Sequence, residues 1–175
     1  MNRRRRLSLA AALVTGALMT VGLSGCFGEP PAPSVTPSPT GFASAEEAYA
    51  AAEETYRDYI DALNLRNEGR VGPDPYQFLT GDLKEQAITE ATQADSRGER
   101  TTGRTTILDF GKVSATTEQV EAQVCMDASG TRVVDASGTD ITPVDRIDNP
   151  ALSLKFSAQN GELKLYASEV IALSC

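Results

Sequence analysis

The chain contains three cysteines, Cys26, Cys125 and Cys175, and no histidine among its 175 residues. Thiols act as nucleophiles, bind metals, pair in disulfides or accept a covalent modification. The absence of histidine excludes Ser-His-Asp hydrolysis, histidine-ligated zinc and proton transfer by imidazole, and no Cys-x-x-Cys motif is present. Phosphate-binding and dinucleotide-binding glycine motifs are missing as well. We therefore identify no catalytic constellation, no metal site and no cofactor motif, and the remaining chemistry belongs to cysteines, carboxylates and tyrosines.

Cys26 follows a segment with the composition of a secretory signal. Four arginines at 3–6 precede an apolar run from Leu7 to Leu23, which is shorter than the roughly 20 residues of a spanning helix. The tetrapeptide Leu23-Ser24-Gly25-Cys26 resembles the lipobox of bacterial lipoprotein precursors. The resemblance implies that residues 1–25 are a signal peptide, that Cys26 is acylated, and that membrane lipid holds the protein on the extracytoplasmic side of the cell membrane. A buried hairpin or a spanning helix with a chance cysteine is the alternative, and the proline-rich sequence that follows argues against both.

The rest of the chain is acidic and begins with a proline-rich stretch. Removal of residues 1–25 takes away four arginines and no acids, which leaves 12 basic and 24 acidic side chains and a net charge of −12. This charge disfavours nucleic acid as a partner. Residues 26–41 contain five prolines and predict an extended stalk, with a docking site for a proline-reading module as the alternative. We expect a single domain at 42–175.

Cys125 and Cys175 remain once lipidation of Cys26 is assumed. Two cysteines in an oxidising compartment predict a disulfide, which would hold the C-terminal strand. A catalytic thiol is the alternative. It would lack the base that activates such a nucleophile.

Three helices are predicted at the start of the domain. Ser44 and Glu47 fit a capping box, so the first helix begins there and ends near residues 67–69. Its apolar residues recur at intervals of three and four and predict one buried stripe: Tyr49, Ala52, Tyr56, Tyr59, Ile60 and Leu63. Asp74-Pro75 predicts a short second helix. The third runs from Gly81 to Ser96 before a left-handed cap at Gly98 and is predicted to pack closely through one face: Leu83, Ala87, Ile88, Ala91 and Ala94.

Beyond Gly98 the hydrophobic period changes to two, which predicts strands. Four sets of residues alternate with their neighbours along the chain in the pattern of a strand: Thr106, Leu108 and Phe110; Val120, Ala122, Val124 and Met126; Leu152, Leu154 and Phe156; and Leu163, Leu165 and Ala167. Asn160-Gly161 predicts a tight hairpin between the last two. Helices followed by antiparallel strands predict an α+β domain with its helices on one face of a curved sheet.

Tyrosines supply the candidate binding residues. Tyr49, Tyr56 and Tyr59 lie on the stripe of the first helix, and Tyr76 lies in the second helix. A buried hydroxyl needs a hydrogen-bond partner. These tyrosines therefore either belong to an ordinary core with their hydroxyls at its rim or line a half-polar pocket.

A short repeat separates two of the predicted strands. Asp127-Ala128-Ser129-Gly130-Thr131 recurs as Asp135-Ala136-Ser137-Gly138-Thr139, and both copies predict tight turns around a short strand at 132–134. A calcium loop that adds Asp140, Asp145 and Asp148 is the alternative, although the EF-hand spacing and its closing glutamate are missing.

The order of elements in residues 44–174 resembles the NTF2-like, or SnoaL-like, cone fold. The alternative is another helix-on-sheet architecture, such as a cystatin-like fold with a different strand order. The resemblance rests on element order, carries no catalytic residue over, and implies a cavity between the first helix and the concave face of the sheet. We expect a non-enzymatic envelope lipoprotein that binds a small molecule or an envelope protein. The alternatives are an isomerase- or cyclase-type enzyme that uses Asp and Tyr, and an accessory protein of an envelope transport or cell-wall system.

Overall fold

The first helix begins where the capping box predicts. In the computed structural model, which describes residues 41–175, helix α1 spans Ala45–Asn67 and the Ser44 hydroxyl accepts a hydrogen bond of 3.1 Å from the N–H of Glu47. The Glu47 carboxylate accepts one of 3.0 Å from the N–H of Ala43. The predicted signal peptide, Cys26 and the stalk as far as residue 40 lie outside the described residues. No helix within 41–175 is both long enough and apolar enough to cross a membrane.

The second and third helices also start at the predicted residues. Pro75–Phe78 forms one turn of 3-10 helix, and the Asp74 carboxylate accepts a hydrogen bond of 3.0 Å from the N–H of Tyr76. Helix α2 spans Gly81–Ser96, and Gly98 beyond it has a φ of +70°. This left-handed conformation, which favours glycine, ends the helix as predicted.

The prediction that α2 packs closely is wrong. No side chain of α2 is fully buried, and Ile88 is 41% exposed. Ile88 lies roughly 140° around the helix from Leu83, because each residue advances by about 100°, so it falls off the inward stripe. The partly buried residues of that stripe are Leu83, Ala87, Ala91 and Ala94.

The strands form one large and one small antiparallel sheet. The large sheet has the order β2-β3-β5-β6, with β2 at Thr106–Ala115, β3 at Gln119–Asp127, β5 at Ala151–Gln159 and β6 at Glu162–Ala172. The small sheet pairs β1, Arg100–Thr102, with β4, Arg132–Val134. The α+β class is thus confirmed, with α1 and α2 packed against the sheet.

The predicted alternation holds in the central strands. Val120, Ala122, Val124 and Met126 of β3 are all buried, as are Leu154 and Phe156 of β5. They face Ala48, Ala52, Tyr56 and Ile60 of α1, and together these residues form the core. Asn160 and Gly161, with φ angles of 54° and 82°, make the predicted turn between β5 and β6.

The alternation fails in the two edge strands because each contains a bulge. In β2 the register shifts between Ile107 and Asp109, so Ile107 and Phe110 pack on the core while Leu108 is 55% exposed. In β6 the shift leaves Tyr166 unpaired and sets Ala167 opposite Lys155. The extra residue moves the side chains that follow it to the other face, until a second register shift in the same strand. Ala167 therefore does not continue the row of Leu163 and Leu165.

A disulfide joins Cys125 to Cys175, as the sequence predicts, with a Cα–Cα distance of 5.8 Å. Cys125 lies on β3 between Val124 and Met126, whose side chains occupy the core, so its thiol is on the opposite face of the sheet. The N–H of Cys175 donates a hydrogen bond of 3.1 Å to the carbonyl of Asn149. Both bonds attach the residues beyond β6 to the sheet.

Asn64 is a buried polar residue outside the predicted apolar stripe of α1. It is 2% exposed, and its amide pairs with both backbone groups of Thr105: Nδ2 donates to the carbonyl at 2.9 Å, and Oδ1 accepts from the N–H at 2.8 Å. Because both amide atoms are satisfied, the burial of Asn64 is tolerated. The pair joins the last turn of α1 to the start of β2.

Candidate functional site

A cavity of about 340 Å³ lies between α1, α2 and the inner face of the sheet. Its floor is formed by side chains of β3, β5 and β6 and its walls by the two helices. The lining is mostly apolar and includes Tyr56, Ile60, Leu63, Leu79, Leu83, Ala87, Met126, Pro150, Leu152 and Leu165, together with the polar residues Tyr59, Gln86, Glu90, Thr105 and Ser168. Small-molecule sites in proteins are mainly apolar clefts of roughly 300–1,000 Å³ with a few polar groups, so this cavity has the size and composition of a binding site.

A second cavity of about 380 Å³ adjoins the first at the C-terminal end of the helices. The two share four lining residues: Tyr59, Leu63, Ala87 and Glu90. The second is more polar, because Arg66, Arg100, Asp95 and Glu99 also line it. We call the two cavities together the helical groove. The groove exists because the inward side chains of α2 are mainly alanines, which do not fill the space between α2 and α1.

The four candidate tyrosines lie in different surroundings. Tyr56 and Tyr59 line the first cavity, and Tyr59 and Tyr76 line the second. Tyr49 lines neither of them. Its hydroxyl donates a hydrogen bond of 3.1 Å to the carbonyl of Phe110, and the Lys112 ammonium lies 5.6 Å from its ring centre.

The hydroxyl groups of the two central tyrosines differ in their partners. Tyr56 is 3% exposed, and its hydroxyl donates to the Met126 sulfur at 3.5 Å. Burial raises the pKa of Tyr56 well above its usual value. For Tyr59, burial first and then the neighbouring Tyr76 and Glu90 raise the pKa to about 12. No residue within 41–175 forms a hydrogen bond with the Tyr59 hydroxyl, which leaves it free to contact a bound molecule.

Tyr59 should make the domain sensitive to alkali. A tyrosine in the unfolded chain loses its proton near pH 10, whereas Tyr59 in the folded protein retains it up to about pH 12. Between these values the unfolded state binds fewer protons than the folded state, so stability falls as pH rises. We expect wild type to lose about 1 kcal/mol more stability between pH 7 and pH 11 than Tyr59→Phe, measured by urea unfolding. Tyr166→Phe, which removes an exposed hydroxyl from β6, is the matched control, and equal losses in all three proteins would contradict the expectation.

Arg66 closes one end of the groove. Its Nη1 donates a hydrogen bond to the Tyr76 hydroxyl, its guanidinium carbon lies 5.5 Å from the Tyr76 ring centre, and its Nη2 is 3.9 Å from Asp95. These contacts join α1 to the 3-10 turn and to α2. Because the side chains are exposed, the contacts orient the groove wall more than they stabilise the fold.

Glu90 lines both cavities of the groove but is not among the binding residues predicted from the sequence. It is exposed on α2, and its Oε1 accepts a hydrogen bond of 2.8 Å from Gln86 Nε2. It lies three residues after Ala87, beside the inward stripe, where a charged residue is ordinarily solvated. Its place in the groove depends on how α2 sits over the sheet, so the helical pattern alone could not reveal it.

The carboxylates of the repeated turns are engaged by their own backbone. Asp127 Oδ1 accepts a hydrogen bond of 2.8 Å from the N–H of Ser129, and Asp135 Oδ1 accepts one of 2.8 Å from the N–H of Ser137. Hydrogen bonds from the hydroxyl and backbone of these serines lower the pKa of each aspartate. No group of three acidic or cysteine side chains in the described part of the chain could hold a metal ion. The repeat is thus turn chemistry around β4, as predicted.

The geometry defines this part of the chain as an α+β domain with an open groove between its helices and an antiparallel sheet. No protein-family model matches the chain, and no curated protein matches it either. Among solved structures, the chain is similar to the intermembrane space region of the chloroplast protein ARC6, with 18% sequence identity and a TM-score of 0.49. The alignment covers 71% of this chain and 96% of that one.

Proposed function

We propose that this protein is a cell-envelope lipoprotein whose domain binds a small amphiphilic molecule in the helical groove. The main observation in support is the apolar cavity of about 340 Å³ beneath α2, a helix with no fully buried side chain. Apolar surface that remains accessible in a concave site favours binding of an apolar ligand. The Tyr59 hydroxyl, which has no hydrogen-bond partner within residues 41–175, supplies a polar contact within the same site.

The anchoring part of the proposal rests on the N-terminal sequence. Leu23-Ser24-Gly25-Cys26 follows an arginine-rich segment and an apolar run, in the order found in bacterial lipoprotein precursors. Acyl chains on Cys26 would hold the protein at the membrane, since two chains give stable attachment. The proline-rich stretch would then separate the groove from the lipid surface.

We also propose that the domain belongs to the NTF2-like cone fold. Two observations support this: α1 packs across the inner face of the four-stranded sheet, and bulges in β2 and β6 bend the edge strands. A crystal structure in which the four-stranded sheet is flat, or in which its strand order differs from β2-β3-β5-β6, would contradict this assignment. An isomerase-type activity would need a desolvated carboxylate in the groove. Glu90, the carboxylate that lines the first cavity, is exposed.

Substitution of Ala87 tests whether the groove binds ligands. Ala87 lines both cavities, so Ala87→Phe should fill the space between α2 and the sheet and weaken binding of a neutral apolar dye, Nile red, by about tenfold. Ile88→Phe adds an aromatic ring to the same helix at a position that lines neither cavity, and it should bind the dye as wild type does. Fluorescence titration measures both, and urea unfolding checks that the two variants are folded.

Two results would contradict groove binding. Equal dye affinity in wild type, Ala87→Phe and Ile88→Phe would place the dye elsewhere. A protein that binds no dye and carries no copurified small molecule in native mass spectrometry would leave an envelope protein as the alternative partner.

A further inference from the structure

The charge on the lining of the first cavity is negative. Glu90 is the single acidic residue among its lining residues, and no lysine or arginine lines it in the described part of the chain. The floor of the cavity is apolar and includes Met126, Leu152 and Leu165 from three neighbouring strands. A molecule in this cavity therefore meets hydrocarbon on the sheet side and a negative charge at the rim.

Within residues 41–175, one oxygen of the Glu90 carboxylate remains available to accept a hydrogen bond. Gln86 Nε2 donates to its Oε1 at 2.8 Å, and Oε2 has no hydrogen bond and no ion pair within residues 41–175. Glu90 and Tyr59 line both cavities, and they are close enough for the charge of Glu90 to raise the pKa of Tyr59. An anionic oxygen next to an aromatic ring is a favourable environment for an organic cation, because both attract positive charge.

The second cavity does not reverse this preference. Its lining includes Arg66 and Arg100, but also Glu90, Asp95 and Glu99, of which Glu99 is already paired with Arg97 at 2.7 Å. Arg66 is already bonded to Tyr76 and lies 3.9 Å from Asp95. The acidic excess of the chain as a whole, at a net −8, adds a field that attracts cations and repels anions.

We infer that the helical groove selects a cationic amphiphile, a molecule with an apolar body and a protonated amine. This rests on the proposed function, that the groove binds a small molecule. The apolar body occupies the first cavity against Met126, Leu152 and Leu165, and the ammonium group lies at the rim against the Glu90 carboxylate and the Tyr59 ring. A fatty acid or an anionic phospholipid is disfavoured, because its negative headgroup would meet Glu90, and no lysine or arginine of residues 41–175 lines that cavity.

Three ten-carbon compounds that differ in their headgroup test the inference: decylamine, decanol and decanoate, each used below its micellar concentration. Their affinities are measured at pH 7 by displacement of Nile red from the purified protein. We expect decylamine to bind about fivefold more tightly than decanol, equivalent to ~1 kcal/mol, the upper range for an exposed ion pair. Decanoate should bind more weakly than decanol, and added salt should narrow both differences.

Matched charge variants assign the effect to one residue. Glu90→Gln should remove the advantage of decylamine over decanol, so that the ratio of the two affinities falls to about one. Glu85→Gln removes the same charge from an exposed position of α2 that lines neither cavity, and it should retain the wild-type order of affinities.

The outcomes separate this inference from the proposed function. Equal binding of decylamine and decanol, or equal effects of Glu90→Gln and Glu85→Gln, would overturn charge recognition while the groove proposal stands. Failure of all three compounds to displace the dye, together with unchanged dye binding by Ala87→Phe, would overturn the groove proposal and this inference with it.

Discussion

Unfolding of a Cys125→Ala/Cys175→Ala variant is expected to require ~4 kcal/mol less free energy than unfolding of the oxidised wild-type protein. The disulfide joins residues 50 positions apart, and the loss of chain entropy in the unfolded state grows with the length of the closed loop. Few apolar contacts replace it, since Val170, Ile171 and Leu173 near the C-terminus are 54%, 48% and 71% exposed. Without the bond, we expect the last residues of β6 to separate from β5 before the rest of the sheet unfolds.

Urea unfolding followed by circular dichroism measures this loss. Wild type treated with a thiol reductant is the matched control, because it removes the bond and leaves the sequence unchanged, and it should unfold at nearly the same urea concentration as the variant. Hydrogen exchange should show faster exchange in residues 168–174 than in β3. The prediction would be contradicted if the free energies of unfolding of the variant and of the oxidised protein differed by less than about 1 kcal/mol. Free thiols at Cys125 and Cys175 in protein purified from an oxidising compartment would contradict it as well.

Replacement of Cys26 by serine is expected to release the protein from the membrane. Under the lipoprotein proposal, the anchor consists of acyl chains on this thiol, each methylene contributing about 0.8 kcal/mol to membrane attachment. Serine has no thiol to form the thioether, so the variant should lose the lipid and move from the detergent phase to the aqueous phase in Triton X-114 partitioning. Incorporation of radiolabelled palmitate in a bacterial host should fall to background in the same variant.

The other two cysteines provide the control for this experiment. A Cys125→Ser/Cys175→Ser variant keeps Cys26 and should still enter the detergent phase and incorporate label. Equal partitioning of Cys26→Ser and wild type would mean that another part of the molecule attaches it to the membrane. The lipoprotein proposal would then fail, while the groove proposal would be unaffected.

Local chemistry determined much of this fold from the sequence alone. The Ser44 cap, the Asp74 cap and the left-handed Gly98 each act on backbone groups within a few residues, so tertiary contacts are not needed to place them. The turn at Asn160-Gly161 and the two Asp-Ala-Ser-Gly-Thr turns follow from the same local preferences. The pairing of Cys125 with Cys175 followed from counting, because only two thiols remained after Cys26 was assigned to lipid.

Tertiary structure alone decided which side chains of the edge strands face the core, where α2 lies, and which residues line the groove. The bulges that turn Leu108 and Ala167 away from the core arise from pairing with β3 and β5, and an isolated strand carries no signal for them. Tyr49, Tyr56 and Tyr59 have the same residue type and share one helix stripe, yet Tyr49 bonds to Phe110 while Tyr59 faces the groove. Their difference depends on which element covers each end of α1. Glu90 became a candidate ligand-binding residue for the same reason, since an alanine-rich helix that does not fill its contact surface leaves a cavity whose position only packing defines.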